Sequence, residues 1–519
     1  MTRPLLPLSA AAFALALAAC APAGIPSSAP PAGTVVVNAL VADGGGGAPI
    51  PAAVRIVGDR IAEVGSVAPR EGDRVIDAKG LVLAPGFIDT HSHHDRGLAE
   101  HRDATAAVSQ GITTIVVGQD GGSRIPLADL FARLEAAPPA VNVASYVGHG
   151  SVRGRVLGDD FRREATTEEV ERMRALVREE MAAGALGLST GLEYDPGIYS
   201  ARSEVLILAR EAAAAGGRYI SHMRSEDRHF WAALDELIAI GRETGMPVQI
   251  SHVKLAQRSL WGQADSLLRT LDRARAAGVD VTADIYPYPY WQSTLTVLFP
   301  ERDFADRAEA EYALREVAAP EGLLLGRYGP EPSYSGKTVA QISEMRGTDP
   351  ATTLMDLIRL SLEAEAAGGD GDESVVATSM DERDIERIMR WPHTNFCSDG
   401  ALAGAHPRGY GAYTRVLGRY VRERGVLELG DAVRRMTALA ADHVGLAGRG
   451  RIAPGYAADL VLFDPATVAD VATPASPHEV SRGIVTVWVN GEPVWDAGRP
   501  TGRTPGRVLR RLHSVEGTR

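Results

Sequence analysis

From residue 86 onwards, short apolar runs alternate with longer stretches that have one apolar face. This alternation is typical of β/α units around a parallel sheet. The pattern predicts an α/β protein with a (β/α)8 TIM barrel over residues 85–444, whose reactive groups lie at the carboxyl ends of the strands. The predicted barrel strands lie at 89–93, 113–118, 141–150, 185–190, 218–222, 247–252, 279–286 and 394–399.

The interval between the seventh and eighth predicted strands is too long for a simple crossover. Residues 299–374 contain their own helical runs, and a long segment of this kind inside a compact domain is usually functional. We predict an inserted lid or subdomain there. An extra strand at 375–379 and the last barrel helix at 381–390 are expected to follow it.

Both ends of the chain carry short β-rich runs separated by turn signals. Residues 34–84 include a tight turn at Gly58-Asp59, and the later runs include a turn at Asn490-Gly491. Neither end contains enough strands for a complete sheet. We predict that strands from 445–500 complete the sheet of 34–84 in one small β domain, and that 501–519 form a C-terminal tail.

Residues 1–20 have the pattern of a bacterial signal peptide. Arg3 precedes an apolar run that is short for a membrane span, and small residues lead to Cys20. The pattern resembles the lipobox of lipoproteins, in which the cysteine is lipidated; the alternative is a plain secretory signal. Residues 21–33 are rich in Pro, Ser, Ala and Gly, and predict a flexible tether. The expected location is the bacterial cell envelope, on the periplasmic side of the outer membrane, with the lipid as the only membrane contact.

The composition is that of an ordinary globular protein, with 45% apolar and 23% charged residues. A chain of 519 residues is long enough for two domains. The formal charge of −12 argues against a nucleic-acid surface, which requires a basic stripe. Cys20 and Cys397 are the only cysteines, so lipidation of the first would leave no pair for a disulfide.

His91 and His93 follow an apolar run, and on a strand their side chains point to the same face. A divalent metal would satisfy both imidazoles, whereas the alternative is a pair of solvated loop histidines. His222, His252 and Asp399 also follow predicted barrel strands directly. Because the carboxyl ends of barrel strands converge on one pocket, we expect these five residues to form a metal site.

The order of these motifs resembles the amidohydrolase superfamily, and within it the N-acyl-D-amino-acid deacylases, also called D-aminoacylases. The similarity covers nearly all of residues 34–511. The segments that carry it are Pro-Gly-Phe-Ile-Asp-Thr-His-Ser-His at 85–93, Gly-His-Gly at 148–150, Ser-Thr-Gly-Leu-Glu-Tyr at 189–194, Ser-His-Met-Arg-Ser-Glu at 221–226, Ser-His-Val-Lys at 251–254, Asp-Ile-Tyr-Pro-Tyr at 284–288, Ser-Asp-Gly at 398–400, His-Pro-Arg at 406–408, and 450–464.

The resemblance implies a TIM barrel fused to a β-sandwich and one or two zinc ions. It implies that His91 and His93 serve a first metal position, that His222 and His252 serve a second, and that Asp399 carries the proton transfers. The expected reaction is hydrolysis of the amide bond of an N-acyl-D-amino acid to a carboxylate and a D-amino acid. The D preference comes from the resemblance alone.

One departure from the family pattern affects the metal ligands. Resembling D-aminoacylases have a cysteine ligand in a Gly-Asn-Cys-Gly segment, whereas this chain has Gly-Gln-Asp-Gly at 118–121. A carboxylated lysine after strand four is excluded, because the only lysines are at positions 79, 254 and 337. We therefore expect a carboxylate to bridge the metals, and we favour Glu193 over Asp120.

By the same resemblance, Lys254, Tyr286, Ser293 and Arg408 are expected to bind the substrate α-carboxylate, and cations with hydroxyls suit an anion. The alternative for the two cations is a pair of surface ion pairs. The segment from Tyr286 to Ser293 has one extra residue relative to the family pattern. His149 is expected either to hydrogen-bond a metal ligand or to be structural.

Two other functions fit the same residues. Within the superfamily, the chain could be a cyclic amidase of the dihydroorotase type or a dipeptidase. From a different class, it could be a lipid-anchored binding protein without catalysis. The complete set of four histidines and Asp399 argues against a binding protein, which needs no proton carrier.

Overall fold

The fold is that of a computed structural model, which describes Met1 and residues 32–511. Cys20, the predicted signal peptide after Met1, and the predicted tether up to residue 31 lie outside the described residues. Among the residues that are described, no helix has both the length and the apolar character needed to cross a membrane.

Four sheets are present in the described part of the chain. Their strands are β1 (Thr34–Val41), β2 (Ile50–Val57), β3 (Arg60–Gly65), β4 (Arg74–Asp77), β5 (Val82–Pro85), β6 (Phe87–Asp89), β7 (Ile112–Val117), β8 (Asn142–Ser145), β9 (Val147–Gly148), β10 (Gly187–Gly191), β11 (Arg218–His222), β12 (Val248–Ile250), β13 (Val281–Ile285), β14 (Tyr290–Ser293), β15 (Leu323–Tyr328), β16 (Glu373–Thr378), β17 (Thr394–Phe396), β18 (Leu460–Phe463), β19 (Ile484–Val489), β20 (Glu492–Asp496) and β21 (Arg499–Pro500).

The α-helices lie between the barrel strands, within the insertion, and after β17. They are α1 (Thr105–Val108), α2 (Leu127–Ala136), α3 (His149–Leu157), α4 (Thr167–Ala183), α5 (Arg202–Ala214), α6 (Phe230–Thr244), α7 (Ala264–Ala276), α8 (Arg307–Tyr312), α9 (Val339–Arg346), α10 (Pro350–Ala366), α11 (Glu382–Met389), α12 (Arg408–Arg415), α13 (Leu429–Met436) and α14 (Ala438–Val444).

The strands from the two ends of the chain form one sheet in the order β21-β20-β19-β18-β5-β1-β2-β3, and β4 pairs with β1. The two ends meet where β5 pairs antiparallel with β18, with Leu83 opposite Leu462. Buried apolar side chains from both ends form a separate core, and Trp488 is among them. The N- and C-terminal segments therefore share one hydrophobic core outside the barrel.

The barrel consists of eight parallel strands: β6, β7, β8, β10, β11, β12, β13 and β17. β8 continues through Tyr146 into β9, which pairs with β10. At the other seam, the Asp399 amide donates to the His91 carbonyl at 2.9 Å. The predicted barrel is confirmed. Most strands are shorter than predicted, because the polar residues at their carboxyl ends leave the sheet and enter the loops.

The insertion between β13 and β17 contains a small antiparallel sheet in the order β14-β16-β15. The prediction placed its start at residue 299, but the sheet already begins at Tyr290, which pairs with Thr378. The reason is that β14 and β16 need each other as partners, and that pairing is not visible in either segment alone. As a result, Ser293 at the end of β14 lies on the insertion and faces the barrel opening.

Candidate metal centre

His91 and His93 lie in the loop after β6 and face two carboxylates. His91 Nε2 is 3.3 Å from Asp120 Oδ1 and 3.5 Å from Asp399 Oδ1. His93 Nε2 is 3.1 Å from Asp120 Oδ2 and 3.3 Å from Asp399 Oδ1. One ligand atom from each of the four residues lies within 4.8 Å of the other three. This spacing suits a single cation bound by two imidazoles and two carboxylates.

The second histidine pair comes from β11 and the loop after β12. His222 Nδ1 is 3.1 Å from His252 Nε2, and His252 Nε2 is 3.4 Å from Asp120 Oδ1. Both rings are almost fully buried. The structure therefore brings together all four predicted histidines at the carboxyl ends of the barrel strands, and Asp120 is the carboxylate that both pairs share.

Between the two predicted carboxylates, the geometry favours Asp120 over Glu193 as the one shared by the two histidine pairs. Glu193 Oε2 approaches His222 Nε2 at 2.8 Å, on the opposite side of the ring from His252. It is grouped with His222 and Glu226, and not with His91 or His93. Asp120, the alternative in the sequence prediction, lies between the two histidine pairs.

The loop after β7 aims Asp120 at the histidines through a left-handed backbone. Asp120 has φ of 53°, and Gly118 and Gly121 on either side have φ of 75° and 73°. Asp tolerates this region better than most residues, and Gly enters it freely. The loop also packs on the end of β10, where a Cβ at Gly191 would lie 2.1 Å from the Asp120 carbonyl oxygen. A glycine at 191 is therefore needed for Asp120 to reach its position.

Asp399 follows β17 with φ of 49° and is held from two sides. Arg408 Nη1 lies 2.6 Å from Asp399 Oδ2. The preceding residue, Ser398, donates its backbone N–H to buried Asp89 at 2.8 Å. Burial by itself would raise the pKa of Asp399, but the Arg408 guanidinium and the neighbouring histidines outweigh burial and hold it well below its usual range. Asp399 is therefore ionised at neutral pH.

The cluster of His91, His93, Asp120, His222, His252 and Asp399, here called the histidine cluster, attracts positive charge. Burial lowers the pKa of His93, but hydrogen bonds with Asp120 and Asp399 outweigh burial and raise it to about 9. Burial and Lys254 lower the pKa of His252, but the nearby carboxylates raise it to about 10. Either protons on the imidazole rings or a bound metal cation can balance the negative charge of these carboxylates, and metal binding would release the protons.

Several donor atoms of the histidine cluster also fit a metal. Within residues 32–511, His91 Nδ1, His91 Nε2 and Asp120 Oδ1 are buried and have no hydrogen-bond partner. His91 Nε2 and Asp120 Oδ1 are close but not aligned for a hydrogen bond, as expected of two ligands that face a common cation. Imidazole nitrogen and carboxylate oxygen are ligands that zinc accepts.

Glu226 and Tyr194 also contact the cluster, although the sequence prediction gave neither a role. Glu226 Oε2 is 2.5 Å from Lys254 Nζ, and Glu226 Oε1 is 3.1 Å from His252 Nδ1. The Tyr194 ring centre is 4.4 Å from that of His222. The signal available in the sequence was position: Glu226 follows His222 by four residues, and Tyr194 follows strand β10 by three.

The four predicted substrate-binding residues lie close to the histidine cluster. Arg408 and Lys254 approach the same Tyr286 ring, at 4.7 Å and 5.8 Å from its centre. The Tyr286 hydroxyl is buried without a hydrogen-bond partner among the described residues. Ser293 and Arg408 line an open cleft of about 550 Å³, which also contains His93, Asp120 and Asp399. The cations are not surface ion pairs, since both are buried.

His149 has the structural one of its two predicted roles. Its Nε2 lies 2.8 Å from Glu204 Oε1, and Glu204 also binds the fully buried Arg153. These residues connect α3 with α5 behind the barrel wall. His149 is absent from the groups of side chains that could hold a metal among the described residues.

Comparison with known proteins identifies relatives that match most of the chain. A sequence model of the amidohydrolase family matches residues 74–321 and 336–495. N-acyl-D-glutamate deacylase of Alcaligenes xylosoxydans xylosoxydans is 39% identical over 507 residues, which cover 93% of this chain and 97% of the relative. D-aminoacylase of the same organism is 39% identical over 484 residues, which cover 88% of this chain and 92% of the relative.

Two solved structures are similar over nearly the whole chain. A D-aminoacylase studied for its binuclear metal centre is 36% identical, with a TM-score of 0.82 over 93% of this chain and 100% of its own. N-acyl-D-glutamate deacylase from Bordetella bronchiseptica, complexed with zinc and a phosphonate inhibitor, is 35% identical, with a TM-score of 0.82 over 92% of this chain and 99% of its own. With the family match and these identities, the chain belongs to the amidohydrolase family.

Proposed function

We propose that this protein is a metal-dependent hydrolase that cleaves the amide bond of N-acyl-D-amino acids, giving a carboxylate and a D-amino acid. The observation that carries the proposal is the meeting of two histidine pairs and Asp399 around Asp120 at the opening of the barrel. The substrate class and its D configuration are supported by the relatives, which are an N-acyl-D-glutamate deacylase and a D-aminoacylase.

The residues that would hold the metal fall into two sets that share Asp120. His91, His93, Asp120 and Asp399 suit one ion, and Asp120, His222 and His252 suit a second. Zinc is supported by the zinc complex of the Bordetella relative. When bound at such a site, zinc lowers the pKa of a coordinated water and polarises a carbonyl.

Asp399 is proposed to carry the proton through the reaction. Its Oδ2 is paired with Arg408, and its Oδ1 faces His91 and His93. Arg408 therefore fixes Oδ2, and Oδ1 points toward the proposed metal position. As the oxygen of a water molecule adds to the acyl carbon, Asp399 takes the proton that this water loses. It then donates this proton to the amide nitrogen as the C–N bond breaks.

Arg408, Lys254, Tyr286 and Ser293 are proposed to bind the substrate carboxylate. Arg408 has the strongest support, since it lies both in the open cleft and against Asp399. Lys254 is already paired with Glu226 at 2.5 Å, so its charge is partly balanced before substrate binds. The unpartnered Tyr286 hydroxyl is free to donate to an anion.

The proposal is tested by assaying N-acyl-D-amino acids beside their L isomers, hydantoins and dihydroorotate, with and without a chelator. We expect hydrolysis of the D series only, loss of activity with the chelator, and recovery with zinc. Asp399→Asn should lower kcat by roughly 10²- to 10⁴-fold. Preferred turnover of the cyclic amides would instead favour the alternative amidase, and turnover of no amide would favour a binding protein.

We also propose that the protein is anchored at the bacterial cell envelope by a lipid on Cys20. The support is the sequence alone: a positive charge, a short apolar run and small residues before Cys20. Mass spectrometry of the mature N-terminus from the native host tests this, with Cys20→Ala as the control. We expect a diacylated or triacylated Cys20; an unmodified N-terminus at another residue would contradict the anchor.

A further inference from the structure

We infer that Glu193 is a positioning residue, which fixes the proton of His222 so that the opposite ring nitrogen is free to bind the metal. The inference rests on the proposed metal-dependent function. It replaces the direct bridging role that the sequence suggested for Glu193.

The two nitrogens of His222 face different partners. Nδ1 lies on the side of the histidine cluster, 3.1 Å from His252 Nε2. Nε2 lies on the outer side, in a 2.8 Å hydrogen bond with Glu193 Oε2. A neutral imidazole has one proton, and a carboxylate accepts that proton but cannot donate one when ionised. Glu193 therefore keeps the proton on Nε2, and the lone pair of Nδ1 faces the metal position.

Glu193 itself is placed too far out to join the bridge. Asp120 belongs to the groups around both histidine pairs, whereas Glu193 shares only His222 with them. The other carboxylate near His222 Nε2 is Glu226, at 3.8 Å, and it is paired with Lys254 at 2.5 Å. Glu193 is thus the carboxylate best placed to hold the His222 ring.

The insertion holds the turn that carries Glu193. Arg302 Nη2 donates to the Glu193 carbonyl oxygen at 2.8 Å, and Arg302 Nε donates to Asp195 Oδ1 at 3.0 Å. Arg302 Nη1 also donates to the Phe299 carbonyl oxygen at 3.0 Å, within the insertion. A continuous series of hydrogen bonds therefore runs from the insertion through Arg302 and Glu193 to His222. This series gives the insertion a role in ordering the metal centre.

The test is a zinc titration of the full-length protein against a competing chelator, with Glu193→Gln and Glu193→Leu compared. Gln keeps a neutral oxygen that can accept from Nε2–H, and Leu removes the acceptor. We expect Glu193→Leu to weaken zinc binding by roughly 10- to 100-fold, Glu193→Gln to weaken it clearly less, and both to reach the wild-type stoichiometry at saturation. The exposed Glu164→Gln is the matched control.

A cobalt spectrum separates positioning from direct ligation. We expect the visible absorption bands of the saturated Co²⁺ protein to be unchanged in Glu193→Gln, since no ligand is lost. If saturated Glu193→Gln binds one ion fewer than the wild type, or if its Co²⁺ bands differ from those of the wild type, Glu193 is a ligand and the inference is wrong. Wild-type affinity in both variants would also overturn it. These measurements use no substrate, so inactivity toward N-acyl amino acids would contradict the proposed function alone.

The link to the insertion is tested with Arg302→Gln. We expect several-fold weaker zinc binding, with little further loss when Arg302→Gln is combined with Glu193→Leu, because both act through His222. Arg315→Gln, in the same insertion with a side chain 62% exposed, is the control. Full additivity in the double variant, or no effect of Arg302→Gln, would show that the insertion does not act through Glu193.

Discussion

Asp120→Asn tests most directly whether Asp120 is the carboxylate shared by the two histidine pairs, because it removes one charge and keeps the size of the side chain. Asn also tolerates the left-handed φ of 53° at this position. A unit charge 3.3 Å from the carboxylate oxygen, the distance to His91 Nε2, interacts by about 5 kcal/mol at an effective dielectric constant of about 20. The Asn carbonyl dipole recovers part of this energy. We expect a net loss of about 3 kcal/mol in zinc binding, or roughly 100-fold in Kd.

The assay is a chelator-competition titration, followed by metal analysis of the dialysed protein. Because Asp120 is shared by both histidine pairs, we expect the binding of every ion to be weakened. Asp159→Asn, an exposed carboxylate far from the cluster in sequence, is the control. Wild-type affinity and stoichiometry in Asp120→Asn would show that Asp120 does not lie between the metals.

Arg408→Ala removes a buried cation beside Asp399, and steady-state assays should show kcat/KM falling by roughly 10- to 100-fold. KM should rise because a contact to the substrate carboxylate is lost, and kcat should fall because Asp399 is no longer held; an unchanged KM would remove Arg408 from the carboxylate site. Glu204→Leu leaves the buried Arg153 without its carboxylate partner. Urea titration should show that the free energy of unfolding falls by about 3–5 kcal/mol; an unchanged free energy of unfolding would contradict this. Burial lowers the pKa of His443 to about 3. As pH falls through 6.5, His443 gains a proton in the unfolded chain but stays neutral in the folded protein. The free energy of unfolding should therefore fall by about 1–2 kcal/mol between pH 7 and pH 5. The same pH dependence of unfolding in His443→Gln would contradict this.

Local patterns predicted the regular elements of the fold well. The run Thr-Thr-Glu-Glu at 166–169 is typical of a helix N-terminus, and α4 begins there with a capping box between Thr166 and Glu169. The turn at Gly58-Asp59 connects β2 to β3, with Val57 opposite Arg60. The Asn490-Gly491 turn connects β19 to β20. In each case a few neighbouring residues determine the structure, so the sequence is sufficient.

The candidate site was predictable where a residue directly follows a strand. His222 is the last residue of β11, and His91, His252 and Asp399 follow β6, β12 and β17 within three residues. The eight-strand pattern alone brings such positions to one end of a barrel. Their convergence therefore needed no knowledge of the loops.

The choice between Asp120 and Glu193 depended on loop geometry, which the pattern does not contain. Asp120 reaches the histidines through a left-handed backbone between two glycines and a close approach to Gly191. Glu193 lies beyond the end of β10, and its turn is held from outside by Arg302. That contact spans 109 residues of sequence, so no local signal could place the Glu193 side chain.

Anomalous diffraction at the zinc absorption edge, from crystals of zinc-loaded protein, tests the central claim most directly. The account predicts one or two peaks within coordination distance of His91, His93, Asp120, His222 and His252, with Asp399 adjacent. Peaks only at surface sites, or an empty histidine cluster in the zinc-loaded crystals, would contradict it.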